Sequence, residues 1–501
     1  MLRWNKNVSE GLLCLLSGAS TTLAFAPYNY FFLAVLSPAL LFNTWINGQP
    51  LTAFCYGYLF GLGMFATGVG WLHISINMFG GVNLAGSLLI TFLLVAYLAF
   101  YPACVGFLGC RFFADSRKIF LLVAIPALWV LGEWCRARVF TGFPWLVLGY
   151  SQIDSPAKGL AALFGVYGIS WAVVLSSGIL VSILHSNSRQ RITLVIAFIL
   201  LWSGSWLLQS KDWTEKSGND ISIALIQGAI PQELKWKRQY RQKSYDQYLA
   251  LSRPYWGSDL IVWPETAIPA FYQQATDFIN KLHNLARSND TNLLAGIPVM
   301  DRKTAAYYNS AVMFNDGISM YHKRHLVPFG EYLPLDSLLR PFLDFLKIPM
   351  SDFTPGDQKK PLLSGPDIDV GISICYEDTF GEEIIQAMPD ARVLVNISND
   401  AWFGDSIAPY QHLQMARMRA AETGRYMLRA TNTGISAVID EKGRIIRQAE
   451  QFKPESLSAE IASFEGASPF VRFGNIPVLL LAALMLLIGI LTPHLIGIFQ
   501  A

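Results

Sequence analysis

Eight apolar stretches, each near the ~20 residues a helix needs to cross a bilayer, constrain this chain more than any other feature. Seven precede Lys211, at about residues 10–27, 30–48, 51–75, 84–109, 119–136, 160–185 and 192–209, and an eighth covers about 474–498. Between them the sequence turns to ordinary globular composition, with β-rich runs alternating with charged helical stretches. The expected organisation is a seven-span bundle over 1–210, an α/β domain over 211–472 and a closing span within 473–501. Hydrophobic residues make up 52% of the chain and charged residues 15%, with a mean hydropathy of +0.35, which excludes an ordinary soluble protein. A net charge of +2 gives no electrostatic reason to expect a nucleic-acid partner.

Basic residues in short loops mark the cytoplasmic side of a membrane protein. Arg3 and Lys6 precede the first stretch, Arg111, Arg117 and Lys118 follow the fourth, and Arg189 and Arg191 follow the sixth. The alternate loops, Pro27–Asn29 and Ile76–Asn83, carry none. Arg136, Arg138 and Lys158, after the fifth stretch, run against this pattern. The majority puts the N-terminus inside and, after seven crossings, the large domain outside, which in a bacterium would be the periplasmic side of the inner membrane. The first stretch, with basic residues ahead and Ala24-Phe25-Ala26 at its end, has the layout of a cleaved leader. Further spans follow it at once, so it is taken as a span. Ionisable residues within spans would signal transport; only Glu133 comes close, and the bundle is expected to be an anchor or a lipid-facing platform.

Of six cysteines, Cys14, Cys55, Cys104, Cys110 and Cys135 lie in or beside apolar segments, and Cys375 alone belongs to the polar domain. No Cys/His spacing suggests a metal site, and no glycine-rich phosphate loop suggests a nucleotide, so neither metal nor cofactor is expected. Val370, Ile372 and Ile374 alternate with small residues as a half-buried strand does, and Cys375 follows directly. Asp378 or Thr379 can cap a helix carrying Glu382 and Glu383 in its first turn, which would place a favourable helix field near the thiol. A lone thiol is either buried filler or a nucleophile, and its own strand leaves both open.

Other apolar runs also end in polar clusters. In Asp259–Pro269 a strand runs into Pro264 and delivers Glu265; Tyr321 leads to Lys323, with Glu331 eight residues on; and Ile221–Gln227 leads to Lys235 and Trp236. Singly these are weak signals. Together, Trp263-Pro264-Glu265-Thr266-Ala267, the Lys323–Glu331 spacing in His325-Leu326-Val327-Pro328-Phe329-Gly330-Glu331-Tyr332, and Ile374-Cys375-Tyr376-Glu377 resemble the Glu–Lys–Cys framework of the nitrilase superfamily. With seven spans ahead of the domain and one behind, the whole chain is similar to the apolipoprotein N-acyltransferases.

The resemblance implies a nitrilase-like αββα sandwich in which Cys375 is the nucleophile, Glu265 the general base, and Lys323 the positive charge that stabilises thiolate and oxyanion. It implies that Glu331 orients Lys323, that Glu377 supports the site, and that Tyr376 and Trp236 shape the pocket. It further implies a phospholipid acyl donor, phosphatidylethanolamine in well-studied members, and an S-diacylglyceryl apolipoprotein whose α-amine accepts the acyl chain from a Cys375 thioester. The apolar segment 338–353, with Phe342, Phe345 and Leu346, is expected to be either a lipid-dipping lid or an amphipathic segment packed on its own domain, and Trp402 and Phe403 admit the same two readings. A membrane-anchored amidase using the same triad with water is the alternative enzyme. A transporter or receptor with a ligand-binding outer domain is the alternative of another class.

Overall fold

The computed structural model describes the backbone of residues 2–46, 48–333, 352–366 and 368–500, and within these the side chains of residues 6–492. Phe342, Phe345 and Leu346 lie outside the described residues. The chain divides into two compact units, one formed by Met1–His73, Leu84–Lys211 and Arg472–Ala501, the other by Ile74–Asn83 and Asp212–Val471.

The first unit is helical. Among the described residues five helices are long and apolar enough to cross a membrane: Pro50–Val69, Leu84–Phe112, Arg117–Arg136, Pro156–Leu184 and Ser188–Leu208. Leu2–Thr21 spans 20 residues, Leu33–Trp45 is a shorter apolar helix, and Ile476–Gln500 closes the chain. Small residues set the packing distance. A Cβ at Gly63 would collide with the Leu15 carbonyl, and one at Gly18 with the Phe60 carbonyl, so glycine lets these two helices approach backbone to backbone.

Arg136 departs from the expectation of an exposed loop cation. It closes the helix Ile125–Arg136, is fully buried, donates to the Phe143 and Trp145 carbonyls, and lies 5.2 Å from the Phe65 ring centroid. The stretch after it is packed inward through Trp145, Leu146, Val147, Leu148 and Tyr150. Glu133 accepts there from the Trp129 indole at 3.1 Å and the Leu148 amide at 2.9 Å. These two charges therefore serve the fold of the bundle, because buried backbone groups outside helices need side-chain partners.

The second unit contains two six-stranded sheets. The first runs in the order β12-β1-β2-β3-β4-β5, with β1 Glu215–Gln227, β2 Leu260–Val262, β3 Asn292–Met300, β4 Tyr307–Phe314, β5 Ile318–His322 and β12 Glu455–Glu465. The second runs β11-β10-β9-β8-β7-β6, with β6 Leu362–Ser364, β7 Asp369–Ile374, β8 Val393–Ser398, β9 Met427–Thr431, β10 Ala437–Ile439 and β11 Ile445–Gln448. One apolar core joins them: Ile223, Leu225, Val262 and Leu294 from the first sheet pack with Ile372, Ile374, Val395 and Leu428 from the second. The opposite face of the first sheet packs with Tyr245 and Tyr248 of the helix Arg241–Ser252 and with Ile279 and Leu282 of Thr276–Ser288. The opposite face of the second packs with Leu413 and Ala416 of Ala408–Thr423. Each strand buried on both faces is near-continuously apolar, as β3 and β8 show. The parallel pairs β1–β2–β3 and β7–β8–β9 bring several chain crossovers to one end of each sheet.

The stretch Ile74–Asn83, expected as the end of the third apolar stretch followed by the loop Ile76–Asn83, groups with this unit. The Ser75 hydroxyl donates to the Trp402 carbonyl at 2.6 Å and the Phe79 ring meets the Trp402 ring edge-on at 4.9 Å.

Candidate active site

β7 ends at Ile374, and the next residue, Cys375, takes a left-handed backbone conformation with φ +51°. A non-glycine residue there costs about 1 kcal/mol or more, so its surroundings must hold it. A tighter turn separates the cysteine from the helix expected to carry Glu382 and Glu383 in its first turn. Cys375–Thr379 forms a single 3-10 turn, and the α-helix Gly381–Ile384 has only four residues. The reason lies in Glu377, whose carboxylate is used elsewhere: it accepts from the Ile374 amide at 2.7 Å, the Arg324 amide at 2.7 Å, the His325 amide at 3.2 Å and the Tyr321 hydroxyl at 2.8 Å. Glu377 thus ties the turn after the cysteine to the strand before it and to the segment that carries Lys323. The short helix begins only at Gly381, so it does not start directly after the thiol as the expected helix field requires.

Glu265 arrives at the end of β2 through Pro264, and Thr266 beyond it takes φ +47°. Only glycine fits opposite this bend, since a Cβ on Gly296 of β3 would lie 2.6 Å from the Glu265 Cα. Lys323 directly follows β5, where its amide continues the antiparallel pairing by donating to the Asn309 carbonyl at 2.8 Å. Asn309 in turn donates its side-chain amide to Glu265 Oε1 at 2.6 Å and to Glu331 Oε1 at 3.0 Å. The Lys323 ammonium, 1% exposed, sits 2.9 and 2.8 Å from the two oxygens of Glu331 and 4.0 Å from Glu265 Oε1. The Val327 amide donates to Glu331 Oε2 at 2.9 Å, fixing that carboxylate from the other side.

One cation between two carboxylates in a buried site shapes every titration nearby. Burial would lower the Lys323 ammonium, but Glu331, Glu265 and Cys375 outweigh it and hold the group above its ordinary range, permanently charged. Burial pushes the Glu265 carboxyl up, with Glu331 adding to the shift and Lys323 opposing it. Burial likewise pushes the Cys375 thiol up, Glu265 adding to it and Lys323 opposing. The thiol is free and half-buried. A thiol and a carboxylate that both resist charge, beside a fixed ammonium, can exchange a proton when an electrophile is present.

A second, wholly buried polar cluster lies under the cysteine. The Cys375 carbonyl accepts from the Asn396 amide at 3.1 Å, and His412 Nε2 lies 3.3 Å from it. His412 places its ring nitrogens 2.8 Å from Asp378 and 3.1 Å from Asp400. Arg429 donates to Asp378 at 3.0 Å, Asn396 at 2.6 Å and Asp400 at 2.8 Å. Burial and Arg429 would lower His412, but Asp378 and Asp400 prevail and keep it raised.

The other residues expected at the site differ in their surroundings. Tyr376 is buried, meeting Phe380 at 5.2 Å and His325 at 5.7 Å between ring centroids. Trp236 is 38% exposed. Phe403 faces His412 at 6.5 Å, and Trp402 packs on Phe79 as described. The structure adds Asn309, His412 and Arg429, which the motifs did not single out, and gives a contact to Lys235, marked in the sequence only as the end of the Ile221–Gln227 run. Arg429 had a visible signal, a charge inside the otherwise apolar run of β9. Lys235 stands beside Trp236, and its amine donates to the Glu265 carbonyl at 3.1 Å.

Comparison with known proteins places these features in a lineage. Residues 222–466 match the carbon-nitrogen hydrolase family model, and residues 17–179 match that of the apolipoprotein N-acyltransferase N-terminal domain. The apolipoprotein N-acyltransferase of Methylococcus capsulatus is 43% identical over 473 residues, covering 94% of each chain. That of Nitrosomonas europaea is 44% identical over 481 residues, covering 94% of this chain and 95% of the relative. That of Coxiella burnetii is 39% identical over 487 residues, covering 96% and 100%.

Proposed function

Because the chain belongs to the apolipoprotein N-acyltransferase family, we propose that it moves an acyl chain from a phospholipid to Cys375 and from there to the α-amine of a diacylglyceryl apolipoprotein. The observation that carries the reading is Lys323, buried between Glu265 and Glu331 and acting electrostatically on the one cysteine of the strand-built unit.

The steps follow from the charges. Glu265 takes the Cys375 proton as the sulfur attacks the ester carbonyl carbon of the donor. Lys323 faces the oxyanion that forms and lowers its energy. Collapse breaks the ester C–O bond; the lysophospholipid oxygen leaves with the proton from Glu265, and a thioester remains on Cys375. The neutral α-amine of the acceptor then attacks the thioester carbon and gives a proton to Glu265. Collapse breaks the C–S bond, Cys375 recovers the proton, and the amide is complete. Glu331 keeps Lys323 in place through both halves, and Glu377 keeps the loop of Lys323 and the turn of Cys375 in register. Trp236, Tyr376, Trp402 and Phe403 supply apolar surface suited to acyl chains.

Both substrates are lipids, which suits a domain tethered at both ends by apolar helices. We place the chain in the bacterial inner membrane with eight spans and the 211–472 domain on the periplasmic side, on the strength of the basic loops. Burial of Arg136 removes one of the three residues that ran against that orientation.

Incubation with acyl-labelled phosphatidylethanolamine and no acceptor tests the reading. Label retained on the protein as a thioester, and passed to a diacylglyceryl-cysteine peptide on its addition, supports it. Rapid release of free fatty acid without stable adduct would assign a hydrolase instead.

A further inference from the structure

Lys235 is 2% exposed, yet it forms no ion pair within 4 Å among the described residues. Its amine donates instead to a main-chain oxygen, that of Glu265, at 3.1 Å. Burying an amine this way is costly, and methionine would fill the same space without the penalty. The position is informative because of what the carbonyl lacks. In the bend after β2, the Pro264 carbonyl accepts from the Ala267 and Gly296 amides, both at 3.2 Å, whereas the Glu265 carbonyl has no main-chain donor among the described residues. The next residue, Thr266, holds a strained φ of +47°. Lys235 is therefore what fastens the peptide that presents the carboxylate.

We propose that Lys235 is a positioning residue for the reaction, fixing Glu265 through its carbonyl so that the carboxylate stays beside Lys323; the inference rests on the acyl-transfer reading above. Charge supports the same pairing. Burial lowers the Lys235 amine to about 7, with Glu265 opposing the shift, so near neutral pH the amine changes charge easily. Glu265 is the charged group that acts on Lys235, and Glu265 itself faces Lys323, Glu331 and the Asn309 amide as well. When Lys235 is protonated it lowers the Glu265 carboxyl.

The test uses full-length protein, with Lys235→Met and Lys235→Gln compared with wild type. The rate of Cys375 thioester formation from phosphatidylethanolamine is followed by intact mass across pH, beside the melting temperature. Lys235→Met is expected to acylate at least tenfold more slowly while melting at the wild-type temperature or above it. Lys235→Gln, whose amide can donate to the same carbonyl, is expected to recover most of the rate. In both variants the acid limb of the rate moves to higher pH, because a charge that lowers Glu265 is gone. Acylation of Lys235→Met within twofold of wild type overturns the proposal. So does an equal loss in both variants accompanied by a lowered melting temperature, which would mark a purely structural residue. Absence of any adduct in the wild type would instead refute the acyl-transfer reading.

Discussion

Arg429→Met tests whether the cluster beneath the cysteine holds the second unit together. The guanidinium is fully buried and bonds Asp378, Asn396 and Asp400 at 2.6–3.0 Å, so the variant leaves two buried carboxylates whose one remaining basic neighbour is His412 among the described residues. Removing one partner of a buried ion pair costs about 3–5 kcal/mol. At roughly 2–4 °C per kcal/mol for a domain of this size, the melting temperature should fall by about 10 °C at pH 7. The pH dependence carries more information than the size. Burial would raise the Asp400 carboxyl, but Arg429 and His412 pull it well below the usual range. In the wild type that pairing stabilises fully above the ordinary aspartate value of about 3.9 and is lost as pH falls through the depressed value. Without Arg429 the burial effect gains ground, Asp400 takes up a proton more readily, and the variant should regain stability between pH 7 and about pH 5, where the wild type does not change through this group. Fluorescence melting of detergent-purified protein at pH 5, 6, 7 and 8 measures both curves, and adding Asp400→Asn to the variant should recover several degrees at pH 7. Wild-type melting at pH 7, or an equal loss at pH 5 and pH 8, would refute the reasoning.

Two further outcomes bear on the site itself. Glu331→Gln removes the charge that fixes Lys323 and should slow thioester formation by roughly ten- to a hundredfold, while the Cys375 thiol remains open to a small alkylating reagent; unchanged acylation would remove Glu331 from the machinery. Because burial raises the Glu265 carboxyl, and a base works only when deprotonated, the acid limb of acylation should lie above the ordinary glutamate value of about 4.3. A limb at or below that value, read from single-turnover rates across pH, would contradict the role given to Glu265.

Strand ends were the legible part of the sequence. Glu265, Lys323 and Cys375 each stand just beyond an apolar run, and alternation of side chains together with Pro264 marks where those runs stop. The turn after Cys375 was not legible, because Glu377 is engaged by amides of Arg324 and His325 some fifty positions away, contacts that the local cap signals of Asp378 and Thr379 do not reveal. Arg136 misled for a similar reason: its partners are carbonyls of Phe143 and Trp145, made available by a non-helical stretch that hydropathy alone takes for a loop. Asn309 and His412 carried no distinguishing pattern, and Lys235 showed only as the polar end of the Ile221–Gln227 run, since each gains its meaning from a neighbour on another element. Spacing along the chain reveals which residues end strands, while the hydrogen bonds that strain and fasten those ends are long-range.

The central claim is that Cys375 carries an acyl chain between two lipids. Intact-mass and peptide analysis of full-length protein taken directly from phosphatidylethanolamine membranes, without an acceptor, measures this most directly. An acyl-sized adduct on the Cys375 peptide, released by hydroxylamine and absent from Cys375→Ala, is the expected result. An unmodified Cys375, or an acyl group that remains in the Cys375→Ala variant, would contradict it.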